Sequence, residues 1–126
     1  MLLTVLPEEF SVIQIGHLSD IDLSISPLFI GKTEEEISVV LPTKDLTAAT
    51  LNREDHWKVF KIAGVLDFSL VGILAKLATI LAECSISIFA ISTFNTDYIL
   101  VKTADFEKAK QVLIQHDYQI TEEVGK

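Results

Sequence analysis

The stretch that decides the fold is residues 57–101, which reads WKVFKIA-GVLDFS-LVGILAKLATILAEC-SISIFAIST-FNTDYILV. Residues 57–63 are rich in β-forming side chains that alternate with lysines, which predicts a strand. From Leu70 to Cys84 the apolar residues recur at steps of three and four, which predicts a helix of about four turns. Residues 64–69 are the predicted loop between the strand and the helix.

The remainder of the C-terminal half completes a recognisable order of elements. Residues 86–93 return to a period of two and are apolar on both faces, which favours a central strand. Residues 95–97 supply turn chemistry, and residues 98–102 predict a strand that pairs with the previous one. Asp105 precedes a second helical pattern, and residues 118–121 predict a last short strand. The order β-α-β-β-α-β predicts an α+β, ferredoxin-like fold with two helices on one face of an antiparallel sheet.

The N-terminal part of the chain is less regular. Its strand candidates are residues 2–6, 10–15, 28–30 and 37–41, of which the last two predict a hairpin. No second helix is indicated between Pro42 and His56. We therefore predict tandem halves of similar pattern, a degenerate N-terminal half at residues 1–55 and a complete domain at residues 56–126.

Composition restricts the class of protein. The chain has 126 residues, of which 49% are hydrophobic and 22% charged, as in a packed globular domain. We attribute the mean hydropathy of +0.42 to a mostly buried sheet and an oligomer interface. The apolar stretches are interrupted by charges, so we expect no membrane span, and the N-terminus lacks the basic region of a signal peptide. The single cysteine, Cys84, favours a reducing compartment, and we expect the cytoplasm.

Charge and motifs argue against several activities. The net charge is −8 and Arg53 is the only arginine, so we expect no nucleic acid partner. No phosphate-binding glycine motif occurs. The three histidines are scattered and have no partner at metal-ligand spacing. Cys84 lies on the core stripe of the predicted helix, which favours a buried, inert thiol over a nucleophile. We therefore expect no metal, no cofactor and no enzymatic activity.

Residues 66–75 followed by residues 86–98 resemble a bacterial family of uncharacterised ACT-domain proteins. The same stretches are similar to the ACT domains of the eukaryotic cytosolic arginine sensors, which also carry a Ser-Thr-Phe-x-x-Asp segment like Ser92 to Asp97 here. The resemblance implies ACT-like subdomains in tandem, and in the sensors a free amino acid lies where two of them meet. The chain departs from the family at Ser85, where we expect a glycine that would ease a left-handed turn.

The chemistry of these segments suits a free amino acid. The start of the predicted helix presents unpaired N–H groups to a carboxylate, and Gly72 permits close approach to the backbone. Asp67 and Asp97 suit an ammonium or a cationic side chain. Neutral donors and acceptors come from Ser69, Ser92, Thr93 and Asn95.

Structural roles remain open for the same residues. Asp67 or Ser69 equally suits a helix cap, Asp97 with Asn95 a hairpin turn, and Gly72 tight packing of helix on sheet. We expect a regulatory module that binds an amino acid at the junction of the two halves or across a homodimer. The alternative is a structural or protein-interaction domain with a vestigial pocket, which assembles through an unpaired edge strand.

Overall fold

The computed structural model describes residues 1–62 and 72–124. In chain order the strands are β1 (Leu2–Val5), β2 (Phe10–Ile15), β3 (Phe29–Lys32), β4 (Ile37–Pro42), β5 (Asn52–Ile62), β6 (Ile88–Ser92), β7 (Asp97–Lys102) and β8 (Gln119–Glu122). The helices are α1 (Ile73–Glu83) and α2 (Phe106–Gln115). The mixed α+β composition and the β-α-β-β-α-β order from β5 onward agree with the predicted ferredoxin-like fold.

Contacts divide the chain into two units that do not follow the predicted boundary between residues 55 and 56. The first unit combines Met1–Pro7 with Lys58–Lys126, and the second is Glu8–Trp57. The first unit is discontinuous because β1 pairs antiparallel with the end of β5 and parallel with β8. Whether residues 1–55 are a degenerate ACT-like half remains a prediction.

The sheet of the first unit has the order β8-β1-β5-β7-β6. In a β-α-β-β-α-β fold that began at β5, the last strand, β8, would lie directly beside β5. Here β1 lies between β5 and β8. The side chains explain this order, because Leu3 and Val5 alternate toward the core and are 0% and 2% exposed. In β8 the corresponding inward residue, Ile120, is only half-buried.

Two helices cover one face of this sheet. The stripe predicted for the first helix is confirmed from Ile73 onward, and Leu77 and Leu81 are fully buried. Leu70 lies outside the described residues. From α2, Ala109 and Leu113 are fully buried, and Phe106 stacks on Phe60 of β5 with the ring centroids 5.4 Å apart. This apolar face is the core of the unit.

Both helices end in the same left-handed turn. Ser85 follows α1 at φ 60° and Asp117 follows α2 at φ 70°. The next residue of each turn returns a hydrogen bond to the helix, from Ile86 N to Leu81 O (3.0 Å) and from Tyr118 N to Leu113 O (3.1 Å). The turn after α1 therefore forms with serine in place of the glycine that such turns favour.

The prediction of a central position for the strand at residues 86–93 is wrong. Among the described strands, β6 pairs with β7 alone and so lies at an edge of the sheet. Its apolar residues Ile88, Phe89 and Ile91 are half-buried rather than buried. Apolar character on both faces therefore does not reflect burial between two strands.

The second unit is a sheet without an α-helix. Its strand order is β3-β4-β2-β5, and the predicted hairpin of β3 and β4 is confirmed. Residues 8–57 are all described, and their only helical pieces are short 3-10 turns, Leu18–Asp20 and Thr43–Asp45. The core comprises Ile13, Ile15, Ile21, Val39 and Leu41, with loop residues Ile25, Leu28, Leu46 and Ala48 packed against it.

A polar cluster around the buried Ser11 side chain lies at an irregularity of this second sheet. The register between β2 and β5 shifts between Phe10 and Val12, and the Ser11 side chain there is fully buried. Ser11 Oγ donates to Asp55 Oδ1 (2.5 Å), so the 2.7 Å contact with Thr43 Oγ1 must be a bond that Ser11 accepts. Arg53 Nε donates to both oxygens of Asp55 at 2.8 and 3.1 Å. These bonds, from Arg53 first and Ser11 second, hold the pKa of Asp55 below its ordinary value.

Candidate functional site

The structure describes five of the seven predicted site residues. Asp67 and Ser69 lie outside the described residues. Thr93 and Asn95 belong to the turn between β6 and β7, while Ser92 and Asp97 are the last and first residues of those strands. The remaining residue, Gly72, immediately precedes α1.

The turn between β6 and β7 is closed by Thr93. The N–H of Thr93 donates to Thr96 O at 2.8 Å, and the Thr93 hydroxyl donates to the same oxygen at 3.0 Å. The hydroxyl oxygen also accepts a hydrogen bond from Thr96 N at 3.3 Å. Asn95 and Phe94, the latter 81% exposed, form the tip. Thr93 therefore has a structural role in shaping the turn.

Thr96 joins this turn to the end of β5, and the sequence reasoning missed it as a site residue. Its side chain is 4% exposed, and its hydroxyl donates to Ile62 O at 2.8 Å. Ile62 is the last residue of β5, after which the chain runs through residues 63–71 to Gly72. The hydroxyl thus fixes the turn against the strand end from which the predicted ligand-binding loop departs. Only the position of Thr96 beside Asp97 hinted at this, because a turn threonine is usually exposed.

Ser92 and Asp97 are brought together. They are directly paired across β6 and β7, so their Cβ atoms lie about 5 Å apart. By the alternation of β7, Asp97 lies on the same face as Ile99 and Val101, which is the face that carries the helices. Its side chain is half-buried, and within residues 1–62 and 72–124 its carboxylate has no hydrogen bond or ion pair.

Gly72 has a backbone conformation that favours glycine. It has φ 78° and ψ 2°, in the left-handed region, and its carbonyl accepts the first bond of the helix from Lys76 N at 2.8 Å. No described atom lies within 4 Å of where a Cβ would be, so the described residues show no close packing of helix on sheet at this glycine. No side chain caps the helix at this position.

A separate cavity of about 320 Å³ lies in the first unit, and none of the five described site residues lines it. Its walls come from the first turn of α1, the end of α2 and the chain start. The lining residues are Met1, Ile73, Lys76, His116, Asp117 and Tyr118. The sequence reasoning missed this cavity because its residues are far apart in the chain and form no motif.

The described part of the chain offers neither a metal-binding cluster nor a membrane-spanning helix. No group of three or more His, Cys, Asp or Glu side chains there is placed to hold a metal ion. None of its helices has the length and apolar character needed to cross a bilayer.

The sheet order, the two helices on one face and the hairpin turn held at the end of β5 define an ACT-type ferredoxin-like fold. A family profile described as the ACT domain matches residues 52–115, and the chain belongs to this family. The matched range ends with α2, so β1 and β8 lie outside it. No curated protein matches the sequence.

Solved structures show the same fold. A protein of Agrobacterium tumefaciens is 24% identical with a TM-score of 0.84, over 98% of this chain and 94% of that one. A Vibrio cholerae protein of unknown function is 23% identical with a TM-score of 0.68, over 90% and 88% of the two chains. The aspartate kinase of Clostridium acetobutylicum, described as an allosteric enzyme, is 18% identical with a TM-score of 0.61, over 86% of this chain and 33% of the kinase.

Proposed function

We propose that this protein is a regulatory module that binds a free amino acid and has no catalytic activity of its own. The observation that carries the proposal is the bond from the Thr96 hydroxyl to Ile62 O, which holds Ser92 and Asp97 at the strand end where the loop to α1 begins. ACT domains are in general regulatory modules for small molecules, and the family match supports this reading.

Each part of an amino acid has a suitable group in this proposal. The first N–H groups of α1 attract the carboxylate, as helix N-termini do for anions in general. The Asp97 carboxylate, which has no partner in the described chain, accepts from the ammonium group or from a cationic side chain. In the sequence, Asp67 and Ser69 lie between β5 and α1. Ser92, Thr93 and Asn95 complete the proposed set of ligand-binding residues.

The resemblance to the eukaryotic arginine sensors suggests arginine and lysine as the first ligands to test. A cytoplasmic location and a homodimer are parts of the same proposal. The similarity to an allosteric aspartate kinase supports a regulatory role, although it is a likeness of fold.

The test is calorimetric titration of ligand-free protein with each of the twenty amino acids. We expect saturable binding to at least one, and Asp97→Asn to weaken it about tenfold because a charge-assisted hydrogen bond is lost. Asp105→Asn is the matched control, since Asp105 is also half-buried and lies beyond the other end of β7. Failure of all twenty to bind, or equal affinity of the two variants, contradicts the proposal.

A second candidate function is assembly through β6, with the pocket vestigial. It is favoured by the position of β6 at an edge of the described sheet and by its sequence Ile-Phe-Ala-Ile-Ser, which carries no charge against pairing. Sedimentation at micromolar concentration should then show a dimer that Ala90→Lys dissociates. Thr121→Lys on β8, the other edge strand, is the control and should leave the dimer intact. A monomeric wild-type protein rules this candidate out.

A further inference from the structure

A groove of about 500 Å³ lies in the first unit where α1 is followed by the start of β6. Its described lining residues are small or aliphatic and carry no charge, namely Ala78, Ala82, Ser85, Ile86, Ser87 and Ile88. Ile86 is buried and Ile88 is half-buried, whereas Ala82 and the two serines are exposed. In a chain with 22% charged residues, an exposed groove of this composition suits an apolar side chain.

The outer edge of β6 presents a row of backbone groups beside this groove. Thr93 N donates to Thr96 O across the hairpin, so the N–H of Thr93 points toward β7. Because the backbone groups of alternate residues point to the same side of a strand, those of Ile88, Ala90 and Ser92 face away from β7. Among the described strands, none pairs with this side of β6. These three residues therefore offer the hydrogen bonds that an added strand requires.

Two copies of β6 can pair antiparallel about a two-fold axis, which is the most common symmetry of homodimers. All five residues of the strand take part only if Ala90 lies opposite Ala90, so that Ile88 pairs with Ser92 of the second copy. Residues paired across antiparallel strands share a face, so the helices of both copies then lie on one side of the joined sheet. Beyond the strand ends, the same register sets position 94 of one copy opposite position 86 of the other, each about 13 Å from the axis.

Phe94 is the residue that this register brings to the groove. It lies at the tip of the turn between β6 and β7 and is 81% exposed. Ile86, which lies opposite it in the register, is one of the lining residues of the groove. An aromatic side chain buries about 150–250 Å² when it enters an apolar site. The chain thus carries an exposed aromatic residue and an uncharged groove at positions that one two-fold register joins, and the contact occurs twice in a dimer.

We propose that the groove of each copy binds Phe94 of a second copy in a dimer that is joined through β6. The inference rests on assembly through β6, the second candidate function above, and adds the side chain that fixes the register of that assembly. A shift of the register by two residues loses one of the three hydrogen-bonded residue pairs of β6 and moves position 94 away from Ile86. Backbone pairing and the Phe94 contact therefore favour the same arrangement.

The experiment is sedimentation equilibrium of the full chain, which measures the dissociation constant of the dimer. We expect Phe94→Ser to raise this constant about a hundredfold, because two buried aromatic side chains are lost and serine still suits a turn. Phe94→Leu should raise it less than about tenfold, since an apolar side chain remains. Leu51→Ser is the matched control, because Leu51 is also apolar and exposed but lies in the second unit, and it should leave the constant unchanged.

The outcomes separate this inference from assembly through β6 in general. If Ala90→Lys dissociates the wild-type dimer and Phe94→Ser leaves its dissociation constant unchanged, β6 assembles without Phe94 in the groove and the inference is overturned. A wild-type protein that stays monomeric overturns both the inference and the second candidate function. A large effect of Phe94→Ser, with none of Leu51→Ser, supports both.

A pair of charged substitutions tests whether Phe94 and the groove meet. Ala82→Lys and Phe94→Glu each place a charge in an uncharged contact, so each should weaken the dimer. In the double variant a lysine faces a glutamate of the second copy, so we expect a dimer about tenfold tighter than two independent losses would give. If the two losses simply add, positions 82 and 94 do not meet across the interface and the inference is overturned.

Discussion

The two units bury their side chains in different ways. In the first unit, two amphipathic helices cover one face of the sheet, and the core of Phe60, Leu77, Leu81 and similar residues is apolar. In the second unit, loop residues such as Leu28 and Leu46 cover the sheet, and a fully buried serine hydroxyl bonds to a carboxylate. The difference teaches that one face of a sheet can be covered without helices if loop residues and a hydrogen-bonded polar cluster supply the packing.

The comparison predicts its largest effects in the two apolar cores. Leu81→Ala in the first unit should lower the free energy of unfolding by about 3–5 kcal/mol, because rigid helices leave a cavity that does not close. Leu41→Ala in the second unit, equally buried, should cost about 2–3 kcal/mol, since loops can relax into the space. Urea unfolding followed by Trp57 fluorescence measures both. A larger loss for Leu41→Ala means that the loops pack as rigidly as helices.

Removal of the buried hydroxyl tests the polar cluster of the second unit. Ser11→Ala should lower the free energy of unfolding by about 1 kcal/mol, because Thr43 and Asp55 each lose a partly buried hydrogen bond to the Ser11 hydroxyl. Ser38→Ala is the control, since its hydroxyl bonds to Glu36 in an exposed position and should matter by less than about 0.5 kcal/mol. If both substitutions lower the free energy of unfolding by the same small amount, the polar cluster does not stabilise the second unit.

The same cluster predicts a dependence on pH. The bonds from Arg53 and Ser11 lower the pKa of Asp55 in the folded protein below the unfolded value of about 3.9. Its contribution to stability is therefore complete above the unfolded pKa and is lost as pH falls through the folded pKa. Urea unfolding between pH 5 and pH 2 should show a smaller loss of stability in Asp55→Asn than in the wild type. If the free energy of unfolding falls equally with pH in the two proteins, Asp55 does not contribute to the pH dependence.

The sequence predicted the elements whose periodicity is strong and local. The steps of three and four from Ile73 to Leu81 specified α1, and two short apolar runs around a polar turn specified the β3-β4 hairpin. It did not predict that β1 would separate β5 from β8, because pairing between strands 55 residues apart leaves no local pattern. The edge position of β6 was not predicted for a related reason. Apolar residues on both faces of a strand do not show whether a neighbouring strand, a helix or a second molecule contacts them.

The candidate site divides in the same way. The turn at residues 95–97 was predicted from local chemistry, but the positive φ of Gly72 and the bond of the Thr93 hydroxyl across the turn were found only in the structure. The Thr96 bond to Ile62 and the cavity at Lys76 and Asp117 depend on how distant segments pack. Such contacts have no spacing in the chain that a sequence pattern can register.

The smallest predicted effect compares strained residues in the two units. Ser85→Gly after α1 should raise the free energy of unfolding by about 0.5–1 kcal/mol, because relief of the left-handed strain exceeds the added entropy of the unfolded chain. His56, at φ 69° in the irregular part of β5, should gain less on change to glycine, because it also loses its 3.2 Å contact with Glu9 and glycine weakens a strand. Thermal unfolding of the two variants ranks these effects. An equal gain for both means that the turn after α1 and the bulge in β5 bear the same backbone strain, and that the side chain of His56 adds nothing to the second unit.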